Sequence, residues 1–168
     1  MPLIKNAAVA DDPWTTLHDE AEAPSSGDVI VSFARVLEEA PALVKRDGRL
    51  GVRVGPHEDV AALGPHLDSI ALVALEFPRY ADGRAYSSAR LLRERYGFDG
   101  ELRAVGDVLR DQLFFMARCG FDAFEIDRPD AAEAFAAAMA ELSHVYQPTS
   151  DGRRTIWARR ARVAAAAE

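Results

Sequence analysis

An α/β domain built on a mainly parallel sheet of about five strands is what this sequence predicts. Two observations carry that reading. Short β-rich runs alternate five times with helical patterns over residues 28–142, joined by short connections. One of the runs, Ile70 to Phe77 (IALVALEF), is almost entirely apolar, as a strand buried on both faces must be. An open doubly wound sheet and a half-barrel of βα units both satisfy this pattern, and no internal repeat chooses between them.

The elements follow in order. Residues 1–27 form a segment expected to be loosely ordered, because the acidic, small-residue stretch Asp19 to Gly27 has little to bury. Within it, Leu3-Ile4 and Trp14 are candidates for an edge strand and an anchor on the body. The α/β domain itself is assigned to 28–160, and 161–168 to a frayed tail. Asp28 to Phe33 (DVIVSF) is the first strand of the repeat. The next segment, Ala34 to Val44, spaces Val36, Leu37, Ala40 and Leu43 as a helix face, with Pro41 expected to kink or end it. Arg49 to Val54 is a second strand, introduced by the turn signal Asp47-Gly48.

Asp59 to Leu67 reads as a short helix, and Ile70 to Phe77 as the central strand. A helix over Ser87 to Tyr96 stops at Gly97, and a strand follows at Leu102 to Val105. Asp107 is the expected N-cap of a helix reaching Cys119, where Gly120 ends it. Ala123 to Ile126 is the fifth strand, and Pro129 to Leu142 an alanine-rich helix. His144 to Arg160 reads as a hairpin turning at Thr149 to Gly152.

Composition narrows the function classes. The 168 residues are 49% hydrophobic and 28% charged, a soluble globular profile. No apolar run approaches the roughly 20 residues of a membrane helix. No secretory signal is evident at the N-terminus, and the expected location is cytoplasmic. Net charge is −7, which disfavours nucleic acid as a partner. Residues 77–120 are locally basic, with eight arginines against six acids. Cys119 is the only cysteine, so internal disulfides and a self-contained iron–sulfur site are excluded. Its place at a helix C-terminus should raise its thiol pKa. Neither GxGxxG nor GxxxxGK[ST] occurs, so the usual dinucleotide and nucleoside triphosphate sites have no support. No cofactor is implied.

Candidate site residues gather after two strands. The loops Pro78–Ser87 and Gly106–Asp107 should share the edge at the carboxyl ends of the strands, where open parallel sheets bind ligands. Arg79, Tyr80, Arg84, Tyr86, Ser87 and Arg110 are the anion-binding candidates there, since the guanidinium fork suits carboxylate, sulfate or phosphate. Asp82 and Asp107 are the candidates for acid/base work. A structural alternative stands beside this: Asp82-Gly83 makes a turn, and Arg84 pairs with Asp107 or Asp111. A magnesium site would draw on Glu76, Asp82, Asp107 and Asp111, but Asp107 and Asp111 are better explained at a helix start, and no metal is assigned. His18, His57, His66 and His144 lack ligand spacing and read as surface residues.

The stretch FPRYADGRAYSSARLLRERYGFDGELRAVGDVLRDQLFFMARCGFDAFE, within a match of roughly residues 48–126, resembles a bacterial family known as domain of unknown function 934. Arg79 stands where lysine is usual in that family. Ala85 stands where glycine is usual in its DGRGYS-type loop, so this position need not adopt a glycine-only conformation. Members carry the label of oxidoreductases of sulfite reduction, because their genes neighbour those of sulfate and sulfite assimilation. The resemblance thus implies a sulfur-assimilation protein, an accessory or electron-delivery partner of sulfite reductase or of another enzyme of that pathway. The loops leave a second expectation open, a small enzyme acting on an anionic substrate. The label names a pathway and assigns no side chain a role.

Overall fold

Eight strands form one sheet in the spatial order β2-β1-β8-β7-β6-β5-β4-β3. The structure, a computed structural model, describes residues 2–165. The strands are β1 (Leu3–Lys5), β2 (Ala8–Ala10), β3 (Thr15–Thr16), β4 (Val29–Ser32), β5 (Leu50–Val54), β6 (Ile70–Phe77), β7 (Glu101–Gly106) and β8 (Ala123–Glu125). From β3 to β8 every neighbouring pair is parallel and the spatial order follows the chain. The antiparallel pairs are those of β1, with β8 on one side and β2 on the other.

Sequential order settles the architecture. A doubly wound sheet reverses its strand order part-way, whereas here each right-handed crossover steps the same way. The helices therefore line one face, and the sheet curls as a half-barrel. The five βα strands read from the sequence are all present and parallel, including the pair β6 and β7.

The helices are α1 (Phe33–Leu43), α2 (Arg84–Arg90, continued by a π-helical turn over Leu91–Arg95), α3 (Leu113–Arg118), α4 (Ala131–Glu141) and α5 (Ile156–Ala165). Tighter 3₁₀ turns span Val60–Ser69 and Arg110–Gln112. Ser32 caps α1 by accepting from the Arg35 N–H, and Pro41 lies within its last turn without breaking it. The helix-side core takes one set of alternating strand residues: Val29, Val31, Val52, Val54, Val73, Leu75, Phe77, Leu102, Ala104 and Phe124. The opposite set, Ile30, Leu72, Ala74 and Val105, forms a second cluster on the concave face, capped by Trp14.

Three expectations change. The N-terminal segment is tied down over much of its length: β1 to β3 extend the sheet at both ends, and Trp14 anchors the connection. Leu3 and Ile4 are buried, and β1 lies inside the sheet between β8 and β2 and not at its edge. The helix expected from Asp107 starts later, at Leu113 after a 3₁₀ turn, and Asp107 caps nothing there. The hairpin expected over 144–160 is instead an irregular segment leading into α5. Thr-Ile-Trp reads as strand locally, but no neighbouring strand edge is there to receive it.

Candidate functional site

Gly106 ends β7 with φ +95°, a conformation that favours glycine, and a Cβ there would lie 2.4 Å from the Phe77 carbonyl oxygen. This close approach brings the two loops of interest together. The Asp107 N–H donates to the Phe77 carbonyl at 2.7 Å. The Asp107 carboxylate accepts from the Tyr80 N–H at 2.7 Å. The Gln112 side-chain amide donates to the Tyr80 carbonyl at 2.7 Å, while its oxygen accepts from the Leu109 N–H at 3.2 Å. Both backbone groups of Tyr80 are thus held by the neighbouring loop, and 78–87 and 106–112 form one joined rim.

The side chains on that rim divide into two groups. Arg79, Tyr80 and Ser87 are exposed, with Tyr80 at 63% of its full exposure. Arg84 begins α2 and grips Asp82, two residues back, through two of its nitrogens. That hydrogen bonding holds the Asp82 carboxyl down to about 2. A third Arg84 nitrogen lies 2.8 Å from Nδ1 of His57, which the loop after β5 carries. Arg110 pairs with Glu141 of α4 at 3.1 Å.

The second group faces inward. Tyr86 packs edge-on against Phe77, centroids 5.3 Å apart, and burial pushes its phenol up to about 12. It is half-buried and packs against the core beneath the rim. Ala85 is buried in the first turn of α2, in a helical conformation that needs no glycine.

Of the sequence-picked residues, Arg79, Tyr80, Asp82, Arg84 and Asp107 come together, whereas Ser87 sits mid-helix and Arg110 faces α4. Arg84 pairs with neither Asp107 nor Asp111. The magnesium candidates are engaged elsewhere, Glu76 with Arg53 at 2.8 Å, Asp82 with Arg84 and Asp107 with Tyr80. No cluster of three metal-binding side chains occurs among the described residues. Cys119 at the end of α3 has its thiol pKa raised, with burial as the cause. A cavity of about 370 Å³ lies beside the rim, lined by Asp107, Arg110, Asp127 and Arg128 among others.

Three features escaped the sequence reading. His57 joins the Arg84 cluster across 27 residues of chain. On the concave face, Arg53 pairs with Glu76. Deeper on that face Arg103, only 1% exposed, binds Asp12, Glu101 and Glu125. Burial works against the Arg103 charge, but its hydrogen bonds to Asp12 and Glu101 prevail and keep its pKa raised. Strand alternation does place Glu101, Arg103 and Val105 on one face, and that was the available signal. Opposite the rim, Arg93 clamps the other sheet edge, donating to the carbonyls of Gly120, Phe98 and Gly100 and pairing with Asp122.

Fold and rim together define a half-barrel α/β domain with an arginine-bearing, largely open edge at the carboxyl ends of its strands. A family model described as bacterial protein of unknown function (DUF934) matches residues 51–157, and the chain belongs to that family. The matched span takes in β5 to β8 and the whole rim. No curated protein matches the chain. Among the described residues, no helix is long and apolar enough to cross a membrane.

Proposed function

We propose that this chain serves sulfur assimilation as an accessory partner of sulfite reductase. The pathway comes from the family resemblance, and the accessory role from the openness of the rim. Arg79, Tyr80 and Arg84 stand on an exposed loop, a form that suits contact with another protein better than enclosure of a small molecule. Asp82, held at about 2 by Arg84, stays ionised at neutral pH and is poorly matched to proton transfer. Asp107 is committed to the Tyr80 N–H. A positioning or docking role is favoured over electron carrying, because one cysteine and no dinucleotide fingerprint supply no resident redox group.

A second reading rests on the cavity beside Asp107, Arg110 and Arg128, whose two guanidiniums would turn from Glu141 and Asp130 to a small oxyanion. In that case the chain is an enzyme on an anionic substrate.

Growth on sulfate as sole sulfur source tests the first reading. A strain lacking the gene should fail on sulfate, recover with cysteine, and regain growth with the wild-type gene but not with Arg79→Ala/Arg84→Ala. Normal growth of the deletion strain on sulfate would overturn it. Titrating sulfite or sulfate into the purified protein separates the second reading: saturable heat lost in Arg128→Ala would favour the enzyme.

A further inference from the structure

The last sixteen residues invert the charge of the chain. Residues 153–168 hold five arginines and one acid, which leaves residues 1–152 with 15 basic and 26 acidic side chains, net −11. Arg153, Arg154 and Arg159 line a groove of about 420 Å³ between α4 and the start of α5. Its floor is apolar, from Met139, Leu142 and Val145.

The surrounding surface is aromatic and exposed. Tyr146 is 68% exposed and Trp157 59% exposed, packed edge to face with centroids 6.3 Å apart. Arg160 lies over the Trp157 ring at 5.5 Å, and Arg153 over that of Phe114 at 5.3 Å. Among the described residues, Asp151 alone offers Arg153 a carboxylate, at 3.8 Å. Exposed tryptophan, tyrosine and arginine around an apolar floor are the residue types that dominate protein-binding sites. A backbone bond from the Ile156 N–H to the Val145 carbonyl seats the first turn of α5.

We propose that this groove is a docking site for a short acidic segment of a partner protein, one carrying an apolar side chain for the floor and carboxylates for Arg154 and Arg159. The proposal rests on the accessory reading above and names the face through which it would operate. Charge decides the class of partner. A segment of a few turns reaches only the basic end, whereas a nucleic-acid duplex or an anionic bilayer would extend over a body of net −11 and be repelled. Concavity points the same way, since a groove receives a side chain and a membrane surface calls for a protruding apolar face.

The full-length protein would be titrated into a fluorescein-labelled twelve-residue peptide of alternating glutamate and leucine, read by anisotropy. Lysine–leucine peptide, anionic lipid vesicles and duplex DNA are the comparison arms. Saturable, salt-sensitive binding of the glutamate peptide is expected, weakened about tenfold or more by Arg154→Glu/Arg159→Glu. Both arginines are exposed, so the variant should keep the wild-type melting temperature. If it does not, Leu142→Glu in the groove floor gives the same test. Equal binding by a folded variant overturns the proposal, as does tighter binding of vesicles, DNA or the lysine peptide. Purified sulfite reductase holoenzyme separates the two readings. If the peptide binds and the reductase does not, the accessory reading fails and the groove stands. If the reductase binds wild type and variant equally, the accessory reading stands and the groove is not its docking site.

Discussion

Arg103 and Arg84 are both arginines paired to carboxylates, yet the chain treats them oppositely. Arg103 is 1% exposed and holds acids from three places, Asp12 in the N-terminal connection, Glu101 in β7 and Glu125 in β8. Arg84 holds Asp82 from two residues away, on an open rim, with its side chain 47% exposed. The first joins parts of the fold that are remote in sequence. The second pairs with an acid of its own loop, and its one longer reach, to His57, is to an imidazole ring and not to a carboxylate. A charged pair reports on architecture when its partners come from different elements and lie out of water, and on a surface when they do not.

The largest expected effect is therefore at Arg103. Arg103→Ala strands Glu101, whose side chain is 8% exposed, with Lys5 as its remaining cationic partner. Removing one member of a buried pair costs roughly 3–5 kcal/mol, so a thermal or urea melt should show severe loss. A melt near that of wild type would erase the contrast with Arg84.

Gly106→Ala comes next. It forces a Cβ against the Phe77 carbonyl at a positive φ, and strain of this kind costs roughly 1–3 kcal/mol. Urea unfolding should show that loss, together with faster hydrogen exchange at the Asp107 and Tyr80 amides. Unchanged exchange would mean that the two loops are not joined through this turn.

Tyr86 gives a pH-dependent test of what lies beneath the rim. Its phenol is held at about 12 against an ordinary value near 10, so the folded state keeps a proton that the unfolded chain releases earlier. The contribution is full below pH 10 and is lost as pH rises from there through 12, on the order of 2–3 kcal/mol in all. Tyr86→Phe should flatten that alkaline limb, and an unaltered limb would remove Tyr86 from the core.

Arg84→Ala should have the smallest effect. The pair with Asp82 is open to water, so the melting temperature should stay at the wild-type value while the carboxyl of Asp82 moves up from about 2, followed by carboxyl NMR. A large drop in melting temperature would make Arg84 a structural clamp and remove the support for a functional rim.

The parallel core was legible because its strands are long enough to show alternation or a continuous apolar run, as Ile70–Phe77 does. The meeting of the two loops was legible too, since strand ends in a parallel sheet share an edge. What lay beyond reach depended on partners distant in the chain. Strands of two or three residues, such as Leu3–Lys5 and Thr15–Thr16, carry no period, and their pairing is fixed by β8 and β4. Asp107 looks like a helix cap locally, yet the turn at Gly106 aims its carboxylate at Tyr80. His57 offered no spacing signal because its contact, Arg84, is on another βα unit.

Because β1 pairs with β8, the opening residues of the chain have no place to settle until those near 125 exist. Lys5 meets Glu101 across 96 positions and Asp12 meets Arg103 across 91. Loop closure over such spans follows the local βα pairings, which are cheaper in entropy and faster. On the ribosome, β1 and β2 are consequently made well before they can dock. Until β8 emerges, β1 and β2 have no strand to join, and that end of the nascent half-barrel stands open to whatever chaperone is near.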